Sequence, residues 1–287
     1  MILGVLYNLL KGPTKIQLLK KHSQLSTFLF PIKKFSPLIL IAALKPFVIT
    51  ILTTTAITSL HAQDVAEYSA RYKASANGVS AVAQREFIRI NDNSYRLQIR
   101  LLAEIAGQQL AKLEQTSEIA FINNSFQPLS YSYMLSGIST VAHAINYNWE
   151  AKLALSRRDE ESWTIDLNGA VWDQLSHQFA LRQIFVNKKA ETNSGEHEFL
   201  LIDGDEVETH RYTVIGEEIL ITTLGSLSTV RLERIQEDSE SRKTSIWLAK
   251  DWGYLLARIE QINDSGLRIE FDLENAVLGG KQVEALQ

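Results

Sequence analysis

Tyr95-Arg96-Leu97-Gln98-Ile99-Arg100-Leu101 is the stretch that decides the fold. Apolar and polar side chains alternate with period two, so an extended chain here has one greasy edge and one charged edge. A helix would scatter the four apolar residues around its axis. The same alternation recurs on both sides. Tyr68, Ala70, Tyr72 and Ala74 alternate with Arg71 and Lys73, and Trp149, Ala151, Leu153 and Leu155 oppose Glu150 and Lys152. Trp163, Ile165 and Leu167 form a further row, and Leu267, Ile269, Phe271 and Leu273 oppose Arg268, Glu270 and Asp272. One apolar and one charged face is what an antiparallel sheet with a solvated side requires. The chain is therefore predicted to be mainly β: a large curved antiparallel meander, up to a half-barrel.

Turn residues fall between the rows. Asn77-Gly78, Asn91-Asp92-Asn93, Asn168-Gly169, Asp203-Gly204, Gly216, Gly225 and Asn263-Asp264-Ser265-Gly266 supply positive φ angles or side-chain hydrogen bonds for tight reversals. In the last third they separate strands expected near 198–202, 207–214, 218–222, 227–235, 243–249, 254–262 and 267–274. The hairpin at 236–242, with Asp238, Glu240 and Lys243, reads as a solvated tip. Residues 105–113 read as strand in preference to helix. Asp173 to Lys189 breaks the alternation, with Leu175, Phe179, Arg182, Ile184 and Val186 at mixed spacing. Asp173 suits an N-cap and Lys188-Lys189 the far end, which predicts one helix over 173–189 packed on, or plugging, the sheet.

Charge divides the chain at Ala62. Seven of the 29 basic residues lie before it (Lys11, Lys15, Lys20, Lys21, Lys33, Lys34 and Lys45), which leaves 22 basic side chains against all 33 acidic ones beyond. So acidic a body is repelled by phosphate backbones, and nucleic acid is excluded as a partner. The chain has no cysteine, which removes disulfides, thiolate metal sites and thiol nucleophiles.

Ahead of Ala62, Lys33 and Lys34 precede the apolar run Phe35 to Leu44, and Phe47 to Leu60 continues it after Lys45-Pro46. One reading is a secretory signal with Phe47–Ile57 as its apolar stretch and cleavage after Ala62. The other is an uncleaved anchor over 35–60. Pro46, four threonines and the central Lys45 weigh against the anchor, by about 2.5–3.5 kcal/mol for the lysine alone. Residues 1–32 read as an over-extended start or, with an anchor, as a cytoplasmic tail. Either way residues 63–287 are expected to form one β-rich domain in the periplasm, free or held at the inner membrane. Membrane contact is expected only through the N-terminal segment.

The stretch Asp173-x-x-Ser176 leading to Leu181-Arg182, then Gly216-Glu217-Glu218, Thr223-Leu224-Gly225-x-Leu227-x-Thr229-Val230-x-Leu232, and Trp247-Leu248-Ala249 resembles the Domain of Unknown Function 3108 family. The resemblance covers most of residues 66–275 and rests on turn glycines and core apolars. It implies an exported, periplasmic β-rich protein, with a sheet similar to the curved half-barrels of periplasmic lipoprotein carriers. It supplies no catalytic residue. Leu255-Leu256-Ala257 stands where the family pattern has a proline.

Candidate chemistry is sparse. His197 and His210 flank the acidic hairpin at Asp203-Gly204 and could face each other, but the residues read better as a charged turn than as a metal site. Ser226 lacks the flanking glycines of a nucleophile elbow. Asp173 and His177, four apart, read as a surface pair at a helix start. Glu160-Glu161 and Glu217-Glu218 lie at expected strand starts or turns, and adjacent strand residues point to opposite faces. No cofactor motif is present, and an envelope hydrolase is the weakest reading.

Aromatics are the remaining signal. Tyr68, Tyr72, Tyr95, Tyr131, Tyr133, Tyr147, Trp149 and Trp163 fill the alternating strands of the first half. They read as core, or as the lining of a groove for an acyl chain, glycan or extended peptide. Tyr131, Tyr133, Trp149 and Trp163 are the candidate lining, with Arg182 at the mouth as a clamp for carboxylate or phosphate. The function expected is non-catalytic binding of an apolar or amphipathic envelope component, a lipid or peptide, or of an envelope protein. The alternative is an assembly factor working through protein contacts.

Overall fold

The computed structural model describes residues 65–76, 79–105, 108–137, 140–187, 195–235, 242–264, 266 and 268–287. The expected signal or anchor, the Asn77-Gly78 turn, Lys188-Lys189 and the hairpin tip at 236–241 lie outside them. In chain order the first strands are β1 (Tyr68–Ala76), β2 (Val79–Asn91), β3 (Ser94–Ile105), β4 (Gln108–Ile122) and β5 (Ser125–Gly137). Next come β6 (Val141–Asn148), β7 (Leu153–Arg158), β8 (Glu161–Asp166) and β9 (Val171–Trp172). Helix α1 (Ser176–Asn187) precedes β10 (Glu196–Asp203), β11 (Glu206–Ile221), β12 (Ser226–Arg234) and β13 (Arg242–Ala249). The chain finishes with β14 (Leu255–Asn263), β15 (Arg268–Leu278) and β16 (Lys281–Gln282).

Hydrogen bonds join these strands into one sheet, ordered β8 through β1 and then β15 down to β9, with β16 on β15. The sheet is antiparallel except where β9 runs parallel to β10. Strand β15 returns beside β1, with Tyr68 opposite Leu278 and Ala76 opposite Ile269. Arg158 on β7 also ion-pairs Asp203 at the tip of β10, although these strands lie near opposite ends of the sheet. The sheet therefore rolls until its two ends meet through side chains.

Alternation explains which face points in. Tyr95, Leu97, Ile99 and Leu101 are buried, and Arg96 and Arg100 on the other face pair with Glu118 and Glu114 of β4. Helix α1 fills the inside of the curve, with Ser176, His177, Phe179, Leu181, Arg182, Gln183 and Phe185 all buried. Phe179 stacks on Phe87 with centroids 5.0 Å apart and meets Phe126 edge-on at 4.9 Å. Burying that ring stabilises the fold by about 2 kcal/mol. A helix buried around most of its circumference needs no sharp amphipathic stripe, which is why its spacing is mixed.

Several expectations are corrected. Helix α1 spans Ser176–Asn187, shorter than 173–189, while Asp173 caps it as expected, with Oδ1 accepting from the Leu175 and Ser176 amides at 2.9 and 2.8 Å. Gly216 does not separate two strands. Residues 206–221 form the single strand β11, and the register against β12 shifts between Val214 and Gly216, so this glycine, at φ 150°, sits in a bulge. Glu217 and Glu218 consequently lie within β11, bonded to Lys250 and to the Trp247 indole. Trp149 to Lys152 form a turn, not strand, and Leu153 and Leu155 face outward at 36% and 42% exposure. Small Ala154 and Ser156 take the interior places, at 1% and 0% exposure.

Candidate functional site

A groove of about 890 Å³ opens beside the helix. Its walls come from the β4–β5 hairpin (Phe126, Pro128), the β6–β7 turn (Trp149), the β8–β9 loop and strand (Val171, Trp172), and Phe199 of β10. Ala180, Gln183 and Ile184 of α1 complete it; three- and four-residue spacing puts them on one helix face. Trp149 is fixed by its indole, which donates to the Pro128 carbonyl at 2.7 Å, and by stacking on Tyr147 at 5.7 Å and 5°. Gln183 is 6% exposed, and neither its Oε1 nor its Nε2 has a partner. Such a buried amide costs about 1–3 kcal/mol unless something occupies it. Lys152 and Glu198 add charge to the lining. The volume falls within the range of small-molecule sites.

The structure brings only one of the sequence-derived candidates to this groove. Trp149 lines it. Tyr131 and Tyr133 are core residues at 2% and 5% exposure, and Trp163 packs partly buried against the core. Burial pushes the Tyr131 phenol well up and Tyr133 to about 12, so both stay neutral. Arg182 lies on the opposite face of α1, where it neither clamps the groove nor pairs with a carboxylate. Its Nε donates to the Gly253 carbonyl at 2.8 Å and its guanidinium stands over the Tyr68 ring at 5.2 Å. Gln183, Phe126, Trp172 and Phe199 were not singled out by the sequence. The one available signal was an amide set among apolar residues in Phe179-Ala180-Leu181-Arg182-Gln183-Ile184-Phe185.

The described histidines do not form the pair across the hairpin that the sequence offered. His210 stands opposite Phe199 and His197 opposite Tyr212, so the two do not face each other across the hairpin. His210 instead meets His177 ring to ring at 5.6 Å. His177 is not a surface residue: its Nδ1 is 3.2 Å from the Asp173 backbone oxygen and its Nε2 3.1 Å from the Tyr212 hydroxyl. Among the described residues no three His, Asp or Glu side chains converge as metal ligands.

Two imidazoles are held neutral. Burial and then the Arg158 guanidinium lower His143 to about 4, and burial followed by His210 holds His177 well below its ordinary value. Unfolded, both take protons near pH 6.5. Below that pH the unfolded chain binds more protons than the folded one, so stability falls as pH falls from 6.5 toward 4. Between pH 7 and 5, His143 alone is expected to account for about 1–2 kcal/mol after allowance for solvent screening. Urea unfolding at the two pH values checks this. His143→Gln is expected to flatten the slope by that amount, and a slope unchanged in that variant would refute it.

The profile of the family described as "Protein of unknown function (DUF3108)" matches residues 67–272. No curated protein matches the chain. Among solved structures, the chain is similar to a β-barrel-like protein of domain of unknown function DUF1849 from Brucella abortus. That likeness has a TM-score of 0.49 at 10% identity and covers 75% of this chain and 98% of the other. A "putative lipoprotein" from Parabacteroides distasonis ATCC 8503 aligns at a TM-score of 0.31 and 12% identity, over 75% of this chain and 100% of that one. Likenesses this distant transfer no ligand or activity.

Proposed function

The chain belongs to the DUF3108 family of proteins of unknown function, and from that premise we propose that it binds an apolar or amphipathic component of the cell envelope without acting on it chemically. The observation that carries the reading is the groove of about 890 Å³, with its wall of Phe126, Pro128, Trp149, Trp172 and Phe199 and one unsatisfied amide, Gln183. An acyl chain lies along such a wall, and an ester or amide carbonyl near its head would take the Gln183 N–H. The lysine-flanked apolar segment before Ala62 and the acidic cysteine-free body behind it support work outside the cytoplasm. Residues 63–287 act as one unit in this reading, because strands from both ends of one sheet, with helix α1, wall the groove.

Tryptophan fluorescence tests it, since Trp149 and Trp172 both line the groove. Titrating the full chain with lysophosphatidylcholine or palmitate is expected to give a saturable change, and Trp149→Ala to weaken binding about tenfold, the loss of roughly 1.4 kcal/mol of contact. Native mass spectrometry after gentle extraction is expected to show a co-purified amphiphile. A flat titration with both probes and a ligand-free mass would end this reading.

One observation favours the alternative, an assembly factor. Residues 206–213 of β11 pair with β10, whereas 216–221 pair with β12 on one side and with no described strand on the other. Ile219 and Ile221 there are 60% and 73% exposed. An unpaired, apolar edge is suited to adding a strand from a partner. A stoichiometric protein partner lost on Ile219→Lys, with wild-type amphiphile binding, would favour it.

A further inference from the structure

Helix α1 has a second lined face. Gln178, Leu181 and Arg182 point away from the groove and, with His177 at the helix start, border the interior of the rolled sheet. There a cavity of about 80 Å³ is lined by residues that include Arg85, Gln115, His177, His210, Arg234 and Gln261. Neither Asp nor Glu is among the described residues lining it. An adjoining space of about 20 Å³ shares Arg85 and Gln178 and reaches Arg182.

Two of the cations here, Arg85 and Arg182, have no carboxylate partner among the described residues, unlike most buried cations. Arg85 is 5% exposed, and its guanidinium donates to neutral acceptors: Nε to the Tyr68 hydroxyl at 2.9 Å and Nη1 to Gln178 Oε1 at 2.7 Å. Arg182 is 6% exposed, and its Nη1 has no partner. Three further polar atoms are buried and unpartnered: Gln115 Oε1, Gln261 Oε1 and His210 Nδ1. Their residues are 1%, 8% and 5% exposed. Each glutamine now donates Nε2 to a hydroxyl, Gln115 to Tyr131 and Gln261 to Thr244. Those hydroxyls can equally donate, so a turned amide would accept from the hydroxyl and present N–H to the cavity. A water needs only about 10–15 Å³ of such space, so the cavity has room for several waters or one compact oxyanion.

We propose that this interior cavity is a binding site for a small oxyanion, a carboxylate or phosphate group, with Arg85 as its principal charge and the turned amides of Gln115 and Gln261 as neutral donors. The site is separate from the groove and does not depend on what the groove holds. It answers two needs at once: it gives Arg85 a charged partner and gives the turned Gln115 and Gln261 N–H groups an acceptor. The anion reaches it either as a free ion or as the head of an amphiphile.

The test uses the full-length chain in phosphate-free chloride buffer, titrated calorimetrically with inorganic phosphate and with acetate, and followed by 31P NMR for phosphate. Saturable binding of at least one ion is expected, with a dissociation constant of roughly 1 mM or tighter. Arg85→Gln is expected to weaken it tenfold or more, Arg85→Lys less because the charge remains, and Trp149→Ala not at all. Competition by dodecyl phosphate assigns the anion to a headgroup; phosphate binding that dodecyl phosphate leaves untouched assigns it to a free ion. No saturable binding of either ion, or wild-type affinity in Arg85→Gln, overturns the proposal. Should Arg85→Gln not fold, Gln261→Met replaces it, and undiminished phosphate and acetate affinity there overturns the proposal equally.

Discussion

Asp173→Ala is expected to destabilise the protein by about 3 kcal/mol, and Asp173→Asn by about 1 kcal/mol or less. Asp173 is fully buried between the sheet and the start of α1. Its Oδ1 accepts the Leu175 and Ser176 amides, and its Oδ2 accepts the Ser117 hydroxyl at 2.9 Å and the Ser176 hydroxyl at 2.7 Å. Alanine removes the cap, typically about 1 kcal/mol, and strands the Ser117 hydroxyl in the interior for about 1–3 kcal/mol more. Asparagine keeps one carbonyl oxygen for the two amides, and its NH₂ can donate to both serines, whose hydroxyls accept as readily as they donate. Urea midpoints at pH 7 decide it: equal losses for the two variants would show that the negative charge, not the acceptor geometry, matters.

The pH response of the same residue follows from its surroundings. Burial raises the Asp173 carboxyl above its ordinary value, against the lowering by the Ser176, Leu175 and Ser117 hydrogen bonds. The folded state therefore holds this proton to higher pH than the unfolded chain does. Stability from Asp173 is full below the unfolded value near 3.8 and is lost as pH rises through the folded one, opposite in sign to the two histidines. Asp173→Asn removes the titration and leaves the histidine slope alone.

Gly137→Ala is expected to cost about 3 kcal/mol or to prevent folding. Gly137 pairs with Ala111 across β4 and β5 at a φ of +122°, where a side chain is strained by about 1–2 kcal/mol. A Cβ there would stand 2.1 Å from the Leu110 carbonyl oxygen and 2.8 Å from the Ala111 Cα, both backbone atoms that cannot step aside. Overpacking of that kind adds about 1–3 kcal/mol. Gly280→Ala is the control: its φ is +77° but nothing lies within 4 Å of the added carbon, so only the smaller backbone strain of about 1–2 kcal/mol applies. Equal thermal losses for the two variants would show that the contact with Leu110 is relieved by a backbone shift.

How much could be read from the chain alone is clearest at particular residues. Tyr95 through Leu101 declared a strand, because period-two alternation is a local property of an extended backbone. Asn91-Asp92-Asn93 declared its turn for the same reason, and the Asn91 side chain accepts the Asn93 amide at 3.1 Å. Gly216 was misread since a bulge and a turn draw on the same residue, and only the β12 register tells them apart. Leu153 and Leu155 were assigned inward on hydropathy, yet β7 turns Ala154 and Ser156 inward. Of the candidate site, Trp149 was legible as an aromatic among alternating strands, while Gln183 and Arg85 look like ordinary polar residues until their partners are counted.

By itself the sequence determined the antiparallel sheet, the helix that interrupts it, the charge division at Ala62 and the absence of thiol chemistry, all of which are set by neighbours within a few residues or by composition. Only the tertiary structure decided that the sheet rolls until Arg158 meets Asp203, that α1 fills the curve, and that the helix separates an apolar groove from a cationic cavity. Those outcomes depend on contacts between residues far apart in the chain, such as Arg85 with Gln178 and Arg182 with Gly253. Side-chain periodicity fixes which edge of a strand is greasy; it holds no information on which distant strand will stand opposite.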